Sequence, residues 1–266
     1  MLTFIIPVKH FDNCFSYKNT WKILEDTLRS ISGQTDDRFN VIVVSNKTLN
    51  NFSNKNQIRN TQFIELNWPP AAQKNKWQLR TQIPRHQGIS AVRRDKGLKY
   101  IVGITEAIKK LTEQDHIMLM DADDFIHKDL TKRVIELNKD LISINKGYML
   151  GKEDSYKILN DFSQHCGSCN IGRVSMLTSQ FKNKALSEHP SEKEASLCCE
   201  KPYRDEILGS HKIFFSFFKE RGYASYLINT PAAIYNCSHR EQNFGRKKRK
   251  FKKKITKQMK LDFCLK

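Results

Sequence analysis

The chain has 266 residues and a formal net charge of +18, from 46 Lys and Arg against 28 Asp and Glu. Its hydrophobic content is 39% and its mean hydropathy is −0.60, which suits one large α/β domain or two small ones. No apolar stretch approaches the roughly 20 residues of a membrane-spanning helix, which predicts a soluble protein and excludes a composition dominated by membrane spans.

The N-terminus and the cysteines indicate a reducing compartment. Residues 1–9 lack a positively charged start, and Pro7 and Lys9 interrupt the apolar run, so we expect a buried strand and not a signal peptide. The seven cysteines are an odd number, and without an export signal reduced thiols are expected. The sequence therefore predicts a cytoplasmic protein.

Four of the cysteines raise structural zinc as an alternative. The pair Cys166 and Cys169 has Cys-x-x-Cys spacing, and Cys198 and Cys199 are neighbours. No second Cys-x-x-Cys or His-x-x-x-His accompanies the first pair, and adjacent cysteines rarely hold one tetrahedral ion together. Ordinary reduced cysteines are favoured.

The predicted elements alternate between short apolar strands and amphipathic helices. In chain order they are a strand at 2–8, a helix at 20–32 capped by Asn19, strands at 41–44 and 63–66, an irregular loop at 67–90, a helix at 97–113, a strand ending at Asp121, a weakly patterned region at 150–200, a helix at 206–221, and strands at 224–229 and 232–236. Strands that are apolar throughout and alternate with helices favour a mostly parallel sheet covered on both faces.

The strand at 117–120 runs directly into three carboxylates, Asp121, Asp123 and Asp124. Like charges at this spacing repel unless a cation joins them, and Mg²⁺ usually combines one or two carboxylates with substrate phosphates. The carboxyl end of a strand is also where open α/β sheets place ligands. The segment predicts a metal-diphosphate site, and the alternative is an acidic turn or helix cap. We expect Asp124 to cap a helix at 126–138.

The positive charge is concentrated near the C-terminus. Ten Lys and Arg and no acidic residue lie from Arg246 to Lys260, which leaves 18 − 10 = +8 for the rest. Apolar residues recur among them at roughly helical spacing: Phe251, Ile255, Met259 and Leu261. Such a segment suits an anionic membrane surface, and a solvated tail is the alternative. Nucleic-acid binding is disfavoured because aromatic stacking platforms are nearly absent.

Several ordered motifs resemble the nucleotide-sugar glycosyltransferases of the GT-A fold, in particular the broad family 2. The resemblance covers residues 1–130 well and 200–245 loosely. Its motifs are the strand Ile5-Ile6-Pro7-Val8-Lys9, the segment Ser30-Ile31-Ser32-Gly33-Gln34-Thr35, the strand Val41-Ile42-Val43-Val44-Ser45-Asn46, the segment Arg93-Arg94-Asp95-Lys96-Gly97-Leu98, and Met120-Asp121-Ala122-Asp123-Asp124. The resemblance implies a Rossmann-like, mostly parallel central sheet flanked by helices.

The resemblance implies a nucleotide-binding role for residues in the first half. Pro7 and Lys9 would lie against the nucleotide, and Asn46 takes the place of a base-binding Asp. An amide can donate and accept hydrogen bonds, so Asn46 can recognise a uracil edge. Arg94 would pair with a diphosphate oxygen. Asp95 would bind the ribose or orient Arg94.

The same resemblance implies the metal site. Asp121 would contact the ribose or a metal-bound water, and Asp123 would bind Mn²⁺ or Mg²⁺ directly. The run from Tyr235 to His239 looks like the family's late histidine, so His239 would complete the metal shell or touch the diphosphate. Arg240 would add a phosphate contact.

The resemblance also implies a general base in a segment just before a helix that ends in glycine. Here Gly209-Ser210-His211 occupies that position, and Gly222 follows eleven residues after His211. Histidine can act as a base near pH 7. Asp205 and Glu206 are alternatives, and a structural helix cap is the non-catalytic interpretation of His211.

Together these observations predict a metal-dependent, inverting glycosyltransferase of hexosyltransferase type. Residues 1–244 would form one GT-A domain, with a nucleotide-sugar half at 1–130 and an acceptor half at 131–244, and 245–266 would be a basic tail. The donor would be a UDP-sugar, and the acceptor a hydroxyl of a surface glycan or lipid-linked oligosaccharide at the inner membrane face. The alternatives are a sugar-1-phosphate nucleotidyltransferase and a non-catalytic basic protein that binds a membrane or nucleic acid. The nucleotidyltransferase alternative is disfavoured, because such an enzyme usually has a Gly-rich loop after strand one and no glycine precedes Gly33 in this chain.

Overall fold

The computed structural model describes residues 1–48, 59–70, 85–239, 241 and 251–266, with side chains from residue 90 in the helix that begins at Arg85. Its strands are β1 (Leu2–Pro7), β2 (Phe39–Ser45), β3 (Thr61–Glu65), β4 (His116–Leu119), β5 (Phe125–Ile126), β6 (Leu141–Ile144), β7 (Gly147–Leu150), β8 (Ser155–Leu159), β9 (Asn170–Arg173), β10 (Ser225–Ile228), β11 (Ala233–Asn236) and β12 (Lys253–Lys254). Its helices are α1 (Tyr17–Ser32), α2 (Arg85–Ala107), α3 (Leu130–Leu137), α4 (Val174–Leu177), α5 (Glu192–Ser196), α6 (Phe214–Lys219) and α7 (Lys257–Asp262).

The central sheet has seven strands in the order β10-β6-β9-β4-β1-β2-β3. Within it, β9 runs antiparallel to β4 and β6, and the other pairings are parallel. A second sheet has the order β12-β8-β7-β11-β5. The predicted α/β class, with a mostly parallel central sheet flanked by helices, is confirmed.

The strand sequences explain why both faces of the sheet are covered. In β1, Phe4 and Ile6 join one hydrophobic cluster while Ile5 joins the other. In β4, Met118 and Leu119 are divided in the same way. Because side chains alternate across a strand, an apolar run can fill two cores only when helices pack on both sides.

The N-terminal cap of helix α1 is Ser16, three residues before the predicted Asn19. The Oγ of Ser16 accepts the N–H of Asn19 at 3.2 Å, so Ser16 is the cap and the helix begins at Tyr17. Trp21, Leu24 and Leu28 are buried on one face, as their helical spacing predicted.

The segment between Ser30 and Thr35 holds α1 to the start of α3. The side chain of Gln34 donates to the carbonyl of His127 at 2.8 Å and accepts the N–H of Thr131 at 2.8 Å. These two hydrogen bonds explain why a glutamine occupies this position of the motif.

Two predicted helices have different bounds. The helix expected at 97–113 begins at Arg85 and ends at Ala107, so the end of the predicted 67–90 loop is helical. The helix expected at 206–221 is divided into a π-helical turn, Tyr203–Leu208, and α6. The glycine and serine between them interrupt the helical pattern, which places His211 in the connection.

The predicted basic tail is, from residue 251 onward, part of the folded domain. Strand β12 pairs with β8, and the helix α7 follows with Thr256 as its cap. Phe263 is 2% exposed, with its ring 5.9 Å from that of Tyr148. Of the expected amphipathic face, Met259 is buried and Phe251 and Ile255 are half-buried, whereas Leu261 is exposed. In the described part of the chain, no helix is long and apolar enough to cross a membrane.

Replacing Phe263 by alanine should destabilise the domain by about 3 kcal/mol, because a buried aromatic ring leaves a cavity. Leu261→Ala is the matched control, since Leu261 is 65% exposed and a substitution there should change stability by less than about 0.5 kcal/mol. Urea unfolding followed by tryptophan fluorescence measures both. Equal stability of the two variants would show that residues 251–266 do not dock.

Candidate functional site

The parallel strands β1, β2 and β4 end at one edge of the central sheet. Lys9, Asn46 and Asp121 follow these three strands and so lie at that edge. The N–H of Val8 donates to the carbonyl of Val44 at 2.8 Å, which continues the pairing of β1 and β2 up to the site. This edge is where the sequence predicted a nucleotide and a metal.

Asp121 is paired with a lysine that the sequence prediction did not single out. The ammonium of Lys96 on α2 contacts Oδ1 of Asp121, and the two side chains are 20% and 31% exposed. Loss of hydration acts to raise the pKa of Asp121, but the charge and hydrogen bond of Lys96 bring the pKa below its usual value. The signal for Lys96 was present, because it lies between Asp95 and Gly97 in the 93–98 motif.

Asp123 lies beside His239, the two residues for which the resemblance implied a metal site. The distance from Nε2 of His239 to Oδ2 of Asp123 is 3.1 Å, and the two side chains are 10% and 28% exposed. The geometry does not make a hydrogen bond, so Nε2 is buried without a hydrogen-bond partner among the described residues. The other ring nitrogen, Nδ1, accepts the N–H of Glu241 at 3.2 Å. Strand β11 positions this histidine, because it runs from Ala233 toward the site.

The prediction for Asp124 was wrong. Helix α3 begins at Leu130, and Asp124 lies buried below the site instead of capping it. Its carboxylate accepts hydrogen bonds from Ser168 Oγ at 2.6 Å, Cys166 Sγ at 2.9 Å and the N–H of Asn236 at 3.1 Å. Burial and the nearby carboxylates raise the pKa of Asp124 well above its usual value. Asp124 therefore joins β11 to the loop before β9.

Asp95 and Arg94 both have protein partners. Asp95 is 2.9 Å from the ammonium of Lys99, which is fully buried and donates to the carbonyl of Val8 at 2.8 Å. This arrangement ties α2 to the end of β1, so Asp95 has a structural role. Arg94 is half-exposed and pairs with Glu192 at 2.6 Å.

Lys9 is covered by a late segment of the chain. Its ammonium donates to the carbonyl of Glu241 at 2.9 Å, across 232 positions of sequence. The carboxylate of Glu241 accepts the N–H groups of Phe15 and Ser16 at 3.0 and 2.8 Å, just before α1. Glu241 thereby joins the β1 end to the start of α1, and the sequence analysis did not identify it.

The side-chain nitrogen of Asn46 has a hydrogen-bond partner, and its side-chain oxygen has none among the described residues. Its Nδ2 donates to the carbonyl of Trp68 at 3.2 Å, and its Oδ1 is buried with no hydrogen-bond partner within the described ranges. The Trp68 contact fixes the amide so that it presents an acceptor. Pro7, at the end of β1 and half-buried, pairs with Val44 in the same edge.

His211 lies in the connection after the π-helical turn, where Nδ2 of Asn170 donates to its carbonyl at 3.3 Å. Its Nε2 is buried and has no hydrogen-bond partner in the described part of the structure. Burial, followed by the positive charge of Lys96, lowers the pKa of His211 to about 4. The imidazole is therefore neutral at pH 7, with an unused nitrogen.

The two alternative bases are placed less favourably. Asp205 is buried in a bidentate pair with Arg204, at 2.6 and 3.1 Å, and Glu206 is exposed. The π-helical turn that carries them packs tightly on α2, because a Cβ at Gly97 would lie 2.1 Å from the carbonyl oxygen of Arg204. The carboxylate of Asp205 is therefore occupied by Arg204, inside the contact between the π-helical turn and α2.

Two further predictions concern metal and phosphate ligands. Arg240 lies outside the described residues. Among the residues that are described, no group of three or more His, Cys, Asp or Glu side chains could by itself hold a metal ion. The zinc alternative for Cys166 and Cys169 receives no support from the described residues around them, and the seven cysteines, all described, form no disulfide.

Comparison with known proteins gives likeness at the level of the fold. No family model matches the chain, and no curated protein matches it in sequence. Residues 1–349 of S. aureus TarS superpose with a TM-score of 0.48 at 12% identity, covering 89% of this chain and 60% of that one. This chain therefore spans less than two thirds of that piece of TarS.

Two other solved structures superpose over most of the chain. A putative nucleotide-diphospho-sugar transferase from Desulfovibrio desulfuricans G20 gives a TM-score of 0.38 at 8% identity, covering 88% of this chain and 80% of that one. A putative glucose-1-phosphate thymidylyltransferase from Bacillus anthracis gives 0.40 at 7% identity, covering 87% and 88%. All three scores are below 0.5, so the reaction has to be argued from the site itself.

Proposed function

We propose that this protein is a metal-dependent glycosyltransferase that moves a sugar from a nucleoside-diphosphate donor to a hydroxyl group of a glycan or lipid-linked acceptor. What supports the proposal is that the His239–Asp123 pair and the Lys96–Asp121 pair both lie where strand β4 ends, and that the charges of Lys96 and Asp121 reach the ring of His211. Few other reactions need a cation site and a neutral imidazole base side by side at a nucleotide-binding edge.

The donor set fits a hard divalent ion held together with phosphate. Two ligand atoms at right angles on an octahedral ion with bonds of about 2.1 Å are about 3.0 Å apart, and Nε2 of His239 is 3.1 Å from Oδ2 of Asp123. Asp123 and His239 would hold Mn²⁺ or Mg²⁺, with phosphate and water as the remaining ligands. Imidazole favours Mn²⁺. A metal on Nε2 requires the ring proton on Nδ1, so the hydrogen bond from the Glu241 N–H would be given up.

The metal would supply Lewis-acid stabilisation of the leaving diphosphate. The other steps belong to residues of this chain. Asn46 presents its buried Oδ1 to the N–H of a nucleobase, which uracil offers at N3, so a UDP-sugar is our proposed donor. Asp121 would bind the ribose or a metal-bound water. Lys9, freed from Glu241, would face the diphosphate.

His211 would take the proton of the acceptor hydroxyl at Nε2. A neutral imidazole with an unpartnered nitrogen has the protonation state that a general base requires. A base on the acceptor side favours direct displacement, and therefore inversion at the transferred carbon. Arg94 remains a candidate phosphate contact once it leaves Glu192.

The loop after β1 favours this reaction over nucleotidyl transfer. A sugar-1-phosphate nucleotidyltransferase, which the sequence analysis kept as an alternative, would need a Gly-rich, Arg-containing loop after β1 to hold a triphosphate. Here residues 8–16 contain no glycine, and Phe11–Asn13 form a 3-10 turn capped by Nδ1 of His10.

The proposal also includes an anionic membrane surface, where a lipid-linked acceptor would lie. Lys252, Lys253, Lys254 and Lys257 are exposed, and each basic residue near an anionic surface adds about 1 kcal/mol of attraction. Since Phe251, Ile255 and Met259 pack on the protein and Leu261 alone of the four apolar residues is exposed, the attraction would be mainly electrostatic and would weaken with salt. It would bring the enzyme to lipid-linked acceptors at the cytoplasmic membrane face.

Thermal unfolding with a panel of nucleoside diphosphates tests the proposal. A ligand at a hundredfold excess over Kd should stabilise the folded state by about 2.7 kcal/mol, and a chain of this size should then melt roughly 5–10 °C higher. We expect this shift with UDP only when Mn²⁺ is present. Asn46→Leu should remove it, and Asn46→Asp, which keeps an acceptor, should retain it. A folded protein that shows no shift with any nucleotide would contradict the proposal.

A further inference from the structure

A cavity of about 320 Å³ lies between the second sheet and the C-terminal helix α7. Tyr148 of β7 and Tyr156 of β8 line it from the sheet. Met259 and Phe263 line it from the C-terminal segment. Ligand-binding clefts in proteins usually have volumes of about 300–1,000 Å³. The cavity is therefore large enough for one small organic molecule.

This cavity is separate from the edge of the central sheet where we place the nucleotide and the metal. Thr230 and Pro231, which line the cavity, come shortly before β11, and His239 follows the other end of that strand. Four residues of strand at about 3.3 Å per residue put roughly 10 Å between the two ends. None of the described residues assigned above to the donor, the metal or the general base lines the cavity.

The apolar part of the cavity is largely aromatic. The rings of Tyr148 and Tyr156 meet edge to face with their centroids 5.2 Å apart, and the ring of Phe263 lies 5.9 Å from that of Tyr148. Phe263 is buried, whereas both tyrosines are only partly buried. An aromatic ring offers a large apolar face, and that of a tyrosine ends in a polar group. The two tyrosines therefore give the cavity an aromatic surface that solvent reaches.

The polar part of the cavity offers both donors and acceptors. Nη1 of Arg133 donates to the hydroxyl oxygen of Thr230 at 3.0 Å. Lys128 and Nε2 of Gln258 both reach Oδ1 of Asp262, at 2.9 and 2.8 Å, which leaves Oδ2 to accept a further hydrogen bond. The side chain of Asp262 is 22% exposed. Such a lining suits a ligand whose own groups both donate and accept, as hydroxyl groups do.

The charge of the lining favours a neutral ligand. Arg133 is cationic and Asp262 is anionic, and among the described residues no other lysine, arginine, aspartate or glutamate lines the cavity. Burial lowers the pKa of His127, which also lines it, so this imidazole is neutral at pH 7. A phosphate would gain one cation and meet one carboxylate, and the two effects oppose each other.

We propose that the cavity formed by Tyr148, Tyr156, Arg133 and Asp262 binds one neutral sugar unit of a glycan, apart from the place of sugar transfer. The C–H face of the sugar lies on the tyrosine rings, and its hydroxyl groups reach Oδ2 of Asp262 and the guanidinium of Arg133. This binding needs neither a nucleotide nor a metal. The inference therefore goes beyond the proposed function and does not depend on it.

Saturation-transfer NMR with free glucose and free N-acetylglucosamine tests the site, on the full chain without nucleotide or metal. A hexose has about 12 non-hydrogen atoms, which at ordinary ligand efficiency corresponds to a Kd of about 2 mM. We expect transfer from the protein to the ring C–H protons of at least one of the two sugars. Tyr156→Leu and Asp262→Asn should each raise Kd by about three- to tenfold. Tyr226→Leu is the matched control, since Tyr226 is 44% exposed on β10 of the other sheet, and it should bind as the wild type.

Melting temperatures separate loss of the site from loss of the fold. Asp262→Asn alters a partly exposed side chain, so it still decides the question if Tyr156→Leu unfolds. A folded wild-type protein that gives no transfer to either sugar overturns the inference. So does transfer that persists unchanged in both variants, because the sugar would then lie elsewhere, for example where we place the acceptor.

Inorganic phosphate is the probe for an anionic ligand. Broadening of its ³¹P signal by the wild-type protein, lost in Arg133→Met and unaccompanied by sugar binding, would identify an anion site and overturn the inference. If the wild-type protein transfers no sugar from any nucleotide donor, the proposed function fails. The binding measurement, made without a donor, still decides whether the cavity holds a sugar.

Discussion

Asp123→Asn should lower metal-dependent donor turnover by roughly 10²- to 10³-fold. The substitution keeps the shape of the side chain and removes the negative charge that holds a divalent ion beside His239 at 3.1 Å. Loss of Lewis-acid stabilisation of the leaving group is worth several kcal/mol, and each 1.36 kcal/mol corresponds to a tenfold change in rate. Initial rates with a UDP-sugar, measured across Mn²⁺ concentrations, would show the loss.

The control for this prediction is Asp161→Asn. Asp161 is 63% exposed and contacts His165 at 3.2 Å on a surface turn, so its loss should leave turnover unchanged. Calorimetric titration of Mn²⁺ in the presence of UDP separates loss of metal binding from misfolding. Full activity of Asp123→Asn at limiting Mn²⁺ would refute the assignment of Asp123 as a metal ligand.

His211→Gln should lower kcat by about 10²- to 10⁴-fold, with a smaller effect on donor binding, because the acceptor hydroxyl would lose its general base. The pKa of His211 is about 4, so the wild-type rate should stay level through neutral pH and fall only as the pH drops through about 4. The glutamine variant should lack this acidic limb. A His165→Gln variant, altered at a partly exposed histidine, should behave as the wild type.

The lowered pKa of His211 also predicts that the folded protein becomes less stable as the pH falls. The folded-state pKa of about 4 lies below the ordinary value of 6.5, so the unfolded chain binds the proton first as the pH falls. The contribution of His211 to stability is therefore complete above pH 6.5 and is lost between about pH 6.5 and 4. The urea midpoint of the wild type should therefore fall relative to that of His211→Gln as the pH drops through that window. A constant difference between them would show that His211 is not held neutral by the fold.

The fold could be predicted from local apolar patterns, and its boundaries could not. The strands at 2–8, 41–44 and 117–120 were found because each is apolar on both faces, which a parallel core requires. The helix at 206–221 was predicted as continuous, since its apolar spacing does not reveal the π-helical turn. The turn depends on close packing of α2 against it at Gly97, which is a tertiary contact.

The position of a candidate site residue could be predicted where its motif follows a strand directly. Asp121, Asp123 and His239 were placed at one edge by the ends of β4 and β11. Lys96 was missed because its role depends on a pairing across 25 positions of sequence. Asp124 was assigned to a cap because a sequence does not show which of three carboxylates is turned inward.

The bond between Lys9 and Glu241 also affects when the site can form during synthesis. Lys9 and Asn46 lie in the first fifth of the chain, yet Glu241, His239 and the strand β11 come from its last tenth or just before it. Contacts between such distant positions form slowly, because a long loop must close before they stabilise the chain. A nascent chain would complete its central strands early and remain without a finished site until the residues near Glu241 left the ribosome.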